Sequence, residues 1–218
     1  MKELFGSIRR NALGLSLFAI VTAGVIAVAQ TTTADRIKAN IRAAEARALN
    51  DIIPQSAYNN ALLSDTLLLT DHFDTALLGP IADGALAYRA RQDGEAVAVL
   101  LPVVAPDGYT TNIDMIVGIR PDGSIAGVRV VAHRETPGLG DKVDRRKSDW
   151  IEGFNGTSLN DPAEEAWAVK KDGGAFDQFT GATITPRAVV NAVHKALTFY
   201  AANHEKLLYL KGDDTDGE

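Results

Sequence analysis

The sequence predicts an α+β fold carried behind an N-terminal membrane-spanning helix. Three observations predict it: a long uncharged apolar run near the start, two Asp-Gly turns set between apolar β-type runs, and a helix of period 3.6 near the end. The strands come as one block with helices before and after it. That order argues for an antiparallel sheet flanked by helices rather than for an alternating βαβ chain.

The anchor comes first. No residue between Arg10 and Asp35 is charged, and ALGLSLFAIVTAGVIAVA, from Ala12 to Ala29, is almost wholly apolar. Such a run meets the length that crosses about 30 Å of hydrocarbon. A cleaved signal peptide is the competing reading, because Ala27-Val28-Ala29 has the small-x-small form of a cleavage site. A signal h-region spans about 7–15 residues, fewer than this run has, so the run reads as an uncleaved anchor. Lys2, Arg9 and Arg10 precede the span and favour a cytoplasmic N-terminus, but Arg36, Lys38, Arg42 and Arg47 follow it closely. Charge counting therefore leaves the orientation open.

From Thr33 to Leu49 the apolar residues Ile37, Ile41, Ala44 and Ala48 recur at helical spacing. This helix either starts on a threonine cap or continues the span, and Asn50-Asp51 and Pro54 end it. Next, Ala85 to Arg91 and Glu95 to Val104 flank Gln92-Asp93-Gly94, and Thr111 to Arg120 and Ser124 to Ala132 flank Pro121-Asp122-Gly123. Asp-Gly between apolar runs is a hairpin cue, since glycine reaches positive φ at no steric cost. Around Gly127 the alternation breaks, which predicts a bulge or a close approach. Ala166 to Lys170 is a candidate fifth strand. Pro186 to Ala202 is the clearest helix, with Val189, Val190, Val193, Leu197 and Tyr200 on one face.

Composition excludes several classes. The net charge is −6 and no basic stripe appears, so nucleic acid is not an expected partner. Cysteine is absent, which removes disulfides, thiolate metal sites and cysteine nucleophiles. The four histidines are scattered singly and form no metal set. Ser148, Asp149 and Trp150 have no base beside them in the sequence, so no catalytic residues are assigned.

The sharpest motif is Asp177-Gln178-Phe179-Thr180-Gly181-Ala182-Thr183-Ile184-Thr185-Pro186. Thr185 at the N-cap and Pro186 at the first helical position make a good helix start. That accounts for one threonine and leaves Thr180 and Thr183 over. A helix N-terminus offers unpaired N–H groups and a positive dipole end, which suit a phosphate. Gly181 and Ala182 keep bulk away from it.

Asp177-x-x-Thr180-Gly181-Ala182-Thr183 resembles the flavinylation motif of subunits that carry FMN through a phosphoester to threonine. The wider chain is similar to the G-subunit family of the Rnf (also Rsx) electron-transport complexes and, more distantly, to the C subunits of sodium-translocating NADH:quinone reductase. Ala105-Pro106-Asp107-Gly108-Tyr109, Glu135-Thr136-Pro137-Gly138-Leu139-Gly140-Asp141-Lys142 and Trp167-Ala168-Val169-Lys170-Lys171-Asp172-Gly173-Gly174 carry the likeness in the same order. Thr180 stands where the family often has serine and keeps a hydroxyl.

The resemblance implies covalent FMN on Thr183, attached by a separate flavin transferase that uses FAD as donor. It implies a flavin loop of Thr180, Gly181, Ala182 and Thr185, and a pocket wall of Glu135, Thr136, Gly138, Leu139 and Gly140. Lys170 either balances phosphate or reduced flavin or is a solvated charge. The domains then read as a cytoplasmic tip and anchor (1–34), a helical stalk or packing segment (35–80), an FMN-binding domain (81–205) and an acidic tail (206–218). The implied protein is single-pass in a bacterial inner membrane, with its C-terminal domain periplasmic. It is an electron-carrier subunit among the other membrane subunits of an ion-translocating complex, with no substrate turnover of its own. Two rivals remain: a membrane-anchored periplasmic ligand-binding or scaffold domain holding a phosphate-bearing ligand non-covalently, and a protein released after Ala29.

Overall fold

The computed structural model describes residues 2–210. The chain divides into two units, 1–43 and 44–218. Helix α1, Lys2–Ile52, contributes to both. In the first unit, Asn11–Ala34 is a stretch of 24 residues with mean hydropathy 2.4 and no buried share. At 1.5 Å per residue it is about 36 Å long, enough to cross the bilayer core. The helix continues past the span rather than restarting on a cap. Thr32 and Thr33 donate their hydroxyls back to the carbonyls of Val28 and Ala29, at 2.8 and 2.7 Å, and cap nothing.

The second unit is an α+β domain. Its sheet is a five-stranded antiparallel meander in chain order: β1 (Thr66–Leu68), β2 (Leu86–Gln92), β3 (Glu95–Ala105), β4 (Ile113–Ile119) and β5 (Ile125–Ala132). A single-turn helix, α2 (Leu69–His72), follows β1, and the long α3 (Ile184–Tyr209) comes last. The first predicted hairpin turns on Asp93 and Gly94, both at positive φ (53° and 88°), the backbone that matches strand twist.

Period-2 alternation sorts the side chains into two cores. Val99, Leu101 and Val103 of β3 and Met115, Val117 and Ile119 of β4 are buried with Val189, Val193 and Leu197 of α3. Ala98, Leu100 and Ile116 face the other way and pack with Ala48, Leu49 and Ile52 from the last turns of α1. The break foreseen around Gly127 is both a bulge and a close approach. Gly118 pairs with Gly127, Ile119 pairs with Ile125, and the register shifts between them. The bare glycine pair forms a notch for Ile52: a Cβ at Gly118 would collide with its Cγ2.

Two expectations differ. The fifth strand is β1 rather than Ala166 to Lys170. That latter segment closes on itself, the Lys170 N–H donating to the Phe176 carbonyl at 2.7 Å and the Ala175 N–H to Ala166 at 2.9 Å. Its hydrogen-bonding groups are used locally, so only an isolated bridge, Val169 to Phe176, remains. Helix α3 also starts earlier than the proline suggests, with Thr183 at the N-cap position and Thr185 inside the first turn. Residues 211–218, most of the acidic tail, lie outside the described residues.

Candidate functional site

The threonine loop is a tight turn set on an aromatic seat. The Ala182 N–H donates to the Phe179 carbonyl at 3.1 Å, and Gly181 takes φ +79°, a conformation that side chains resist. Phe179 is buried and meets Trp150 edge-on at 5.0 Å, with Trp150 in turn edge-on to Phe154 at 5.4 Å. The Trp150 indole N–H donates to the Asp177 carbonyl at 2.8 Å. Above the same ring, the Lys142 ammonium stands 6.0 Å from the Phe179 centroid. Thr180 and Gly181 are thereby held exposed, and Ala182 and Thr183 half-buried.

Thr183 has helical backbone angles (φ −78°, ψ −25°), and its side chain makes no capping hydrogen bond. A capping side chain needs extended backbone to reach the N–H groups ahead of it, so this hydroxyl is left uncommitted to the helix. Sequence reading puts Thr185 at that cap. Instead its side chain is buried and donates to Oε2 of Glu135. Oε1 of Glu135 accepts from the Thr110 N–H at 2.9 Å. One buried carboxylate thus ties together the loop before β4, the loop after β5 and the first turn of α3.

These ties bring two sequence motifs into contact. Gly140 lies so close that a Cβ there would stand 2.7 Å from Thr185 Oγ1 and 2.8 Å from Glu135 Oε2. The exposed side chain of Leu139 reaches over the turn, its Cδ2 3.7 Å from where a Cβ on Gly181 would be. Thr136 and Gly138 are exposed on the same loop. The Thr136 carbonyl accepts from the Leu139 N–H at 3.1 Å, and the Gly138 N–H donates to Asp141 Oδ1 at 2.8 Å. Lys170 pairs with Asp177 at 2.6 Å, both largely exposed, so its ammonium meets the start of the threonine loop.

Each tied segment also carries an exposed apolar side chain. Tyr109, Leu139 and Ile184 are 68%, 42% and 46% exposed, one from each of the three tied segments. Beyond Ile184 a cleft of about 360 Å³ runs along α3, lined by Asp107, Trp167, Ala168, Arg187 and Asn191 among others. The Trp167 indole N–H is buried without a hydrogen-bond partner.

Near the Glu135 loop, burial pushes Asp144 up, but side-chain and backbone hydrogen bonds from Arg146, with its charge and that of His133, together hold it below the usual carboxylate range. Sequence reading missed Trp150, Lys142 and the buried role of Glu135. Only the position of Lys142, two residues after Gly138-Leu139-Gly140, could have singled it out.

The arrangement suits a phosphorylated ring system. An uncommitted hydroxyl sits at the start of a 26-residue helix whose first N–H groups have no partner within the helix. Exposed apolar side chains and a glycine turn lie beside it. Comparison with known proteins agrees. Residues 108–198 match the family model described as FMN-binding domain, and residues 1–52 that of the RnfG N-terminal region. The G subunit of the ion-translocating oxidoreductase complex of Pseudomonas aeruginosa strain UCBPP-PA14 is 53% identical over 202 residues, covering 93% of this chain and 92% of its own. The G subunits of the same complex in Pseudoalteromonas atlantica strain T6c and Vibrio cholerae strain M66-2 are 46% and 43% identical, covering 95% and 97% of this chain and 93% and 99% of theirs. A membrane-length helix, an α+β domain that matches the FMN-binding model and identity along nearly the whole chain converge: the chain belongs to the family of ion-translocating oxidoreductase complex G subunits.

Proposed function

We propose that the protein carries FMN covalently on Thr183 and relays electrons within a membrane complex that couples redox chemistry to ion translocation. The observation that carries this is the Thr183 hydroxyl, placed at the N-cap position of α3 and used for no cap. In attachment, the Thr183 oxygen forms a bond to the FMN phosphorus of FAD, the pyrophosphate link breaks, AMP leaves and the hydroxyl proton is lost. A flavin transferase performs that step.

The first-turn N–H groups of α3 would hold the phosphate, whose charge the helix dipole favours. Leu139, Thr136 and Gly138 would hold the ring, and Gly181 leaves the turn beside Leu139 without a side chain. Thr185 and Glu135 hold these segments in place rather than touching the flavin. When bound, the flavin supplies the redox chemistry; the protein orients it and sets its surroundings. The anchor sits in the inner membrane with residues 81–205 periplasmic, where a covalent tether prevents loss of the cofactor.

The test is flavin fluorescence of denatured protein made together with a transferase. A fluorescent band that disappears in Thr183→Ala and persists in Thr180→Ala supports the assignment. Flavin that copurifies in the native state yet leaves on denaturation would support the non-covalent ligand reading instead.

A further inference from the structure

Glu135 is 4% exposed, and both of its oxygens accept from neutral donors, the Thr110 N–H and the Thr185 hydroxyl. Among the described residues no lysine or arginine forms an ion pair with it. His133 Nδ1 accepts the Glu135 N–H at 3.1 Å, Arg134 precedes Glu135 in the chain, and Asp141, Lys142 and Asp144 follow on the next turn. A buried carboxylate without a countercharge is costly, and here the positive end of α3 offsets part of that cost through Thr185. Thr183 stands two residues earlier on the same helix end.

We propose that Glu135 sets the reduction potential of the flavin held on Thr183, its buried charge opposing reduction. The inference rests on the covalent-flavin reading above. Reduction by two electrons with uptake of one proton from solvent adds one net negative charge to the ring system. A fixed negative charge in a water-poor site disfavours that addition. As a general scale, two unit charges about 10 Å apart at an effective dielectric of ~20 interact strongly enough to bias such an equilibrium by about tenfold.

Glu135→Gln separates charge from shape. The amide oxygen accepts from Thr110 and the amide nitrogen donates to Thr185, so both ties survive. The full chain, flavinylated and checked by mass, is titrated with dithionite in detergent under spectroelectrochemical control. At the wild-type midpoint, Glu135→Gln should raise the reduced-to-oxidised ratio by about tenfold, and Glu135→Asp should stay within about twofold. An unmoved potential in flavin-loaded Glu135→Gln overturns the proposal. Should that variant fail to fold or load, redox-difference infrared spectra of wild-type protein with 13C-labelled glutamate decide, because coupling is reciprocal. Reduction must then shift an isotope-sensitive carboxylate band, and a silent carboxylate region overturns the proposal. A wild-type chain without the mass adduct overturns the covalent reading, and this inference with it.

Discussion

The hydroxyl of Thr185, in the first turn of α3, donates to the buried carboxylate of Glu135, fifty residues earlier in the chain. Removing that hydroxyl leaves a buried acceptor short of a partner, a cost of roughly 1–3 kcal/mol. Thr185→Val should therefore lower stability by about 2 kcal/mol, and Thr185→Ser should restore most of it. Guanidinium unfolding followed by tryptophan fluorescence checks this. Equal stability of wild type and Thr185→Val would mean that the tie contributes nothing.

Asp65 joins Arg89 and Arg91 of β2 to the end of α3. Its carboxylate lies 2.5 Å from Arg89 and 2.6 Å from Arg91, while Arg89 and Arg91 donate to the carbonyls of Leu210 and Leu208. Arg89 is 2% exposed, so Asp65→Ala takes a carboxylate partner away from a buried guanidinium. Breaking a buried pair from one side costs about 3–5 kcal/mol, and the one-fifth exposure of Asp65 places the expected loss at roughly 3 kcal/mol. The same unfolding assay measures it; a loss under about 1 kcal/mol would contradict the account.

Ile52 against the glycine pair offers a coupling test. Gly118→Ala forces a methyl group into Ile52 and should cost about 1–3 kcal/mol. In the Ile52→Ala background the obstacle is gone, so the second substitution should cost much less. Strictly additive effects in the double-mutant cycle would show that the two residues do not meet.

Acid should weaken the domain in part through Asp144. Its folded pKa lies below the unfolded value of about 3.9, because the Arg146 hydrogen bonds and neighbouring charges together outweigh burial. A depressed carboxylate contributes stability that is present above the unfolded pKa and is lost as pH falls through the folded one. Stability should therefore drop below about pH 4, and Asp144→Asn should show a shallower acid limb. Parallel limbs for the two proteins would assign the acid sensitivity elsewhere.

The legible parts of the fold were those with a local physical cause. Asp93-Gly94 announces a hairpin because positive φ is needed at both positions, and the α3 stripe of Val189, Val193 and Leu197 announces a buried helix face. Strand β1 was not legible. Its three residues sit in a leucine-rich run, too short for alternation to show and built from a residue that favours helix. Ala166 to Lys170 looked like a strand by composition, yet its hydrogen bonds close locally on Ala175 and Phe176.

At the site, the threonine loop and the Gly-Leu-Gly loop were each visible as motifs, and resemblance rather than spacing joined them to flavin. Their contact through Thr185, Gly140 and Glu135 depends on the fold bringing distant segments together. Thr185 read as a cap because Pro186 follows it. The helix begins earlier, at Thr183, whose hydroxyl caps nothing.

The most direct measurement is the mass of the proteolytic fragment that contains Thr183, taken from protein matured with an active flavin transferase. The account predicts an FMN adduct localised to Thr183 by fragmentation and absent from Thr183→Ala. A bare fragment from such protein, or an adduct carried by Thr180, would contradict it.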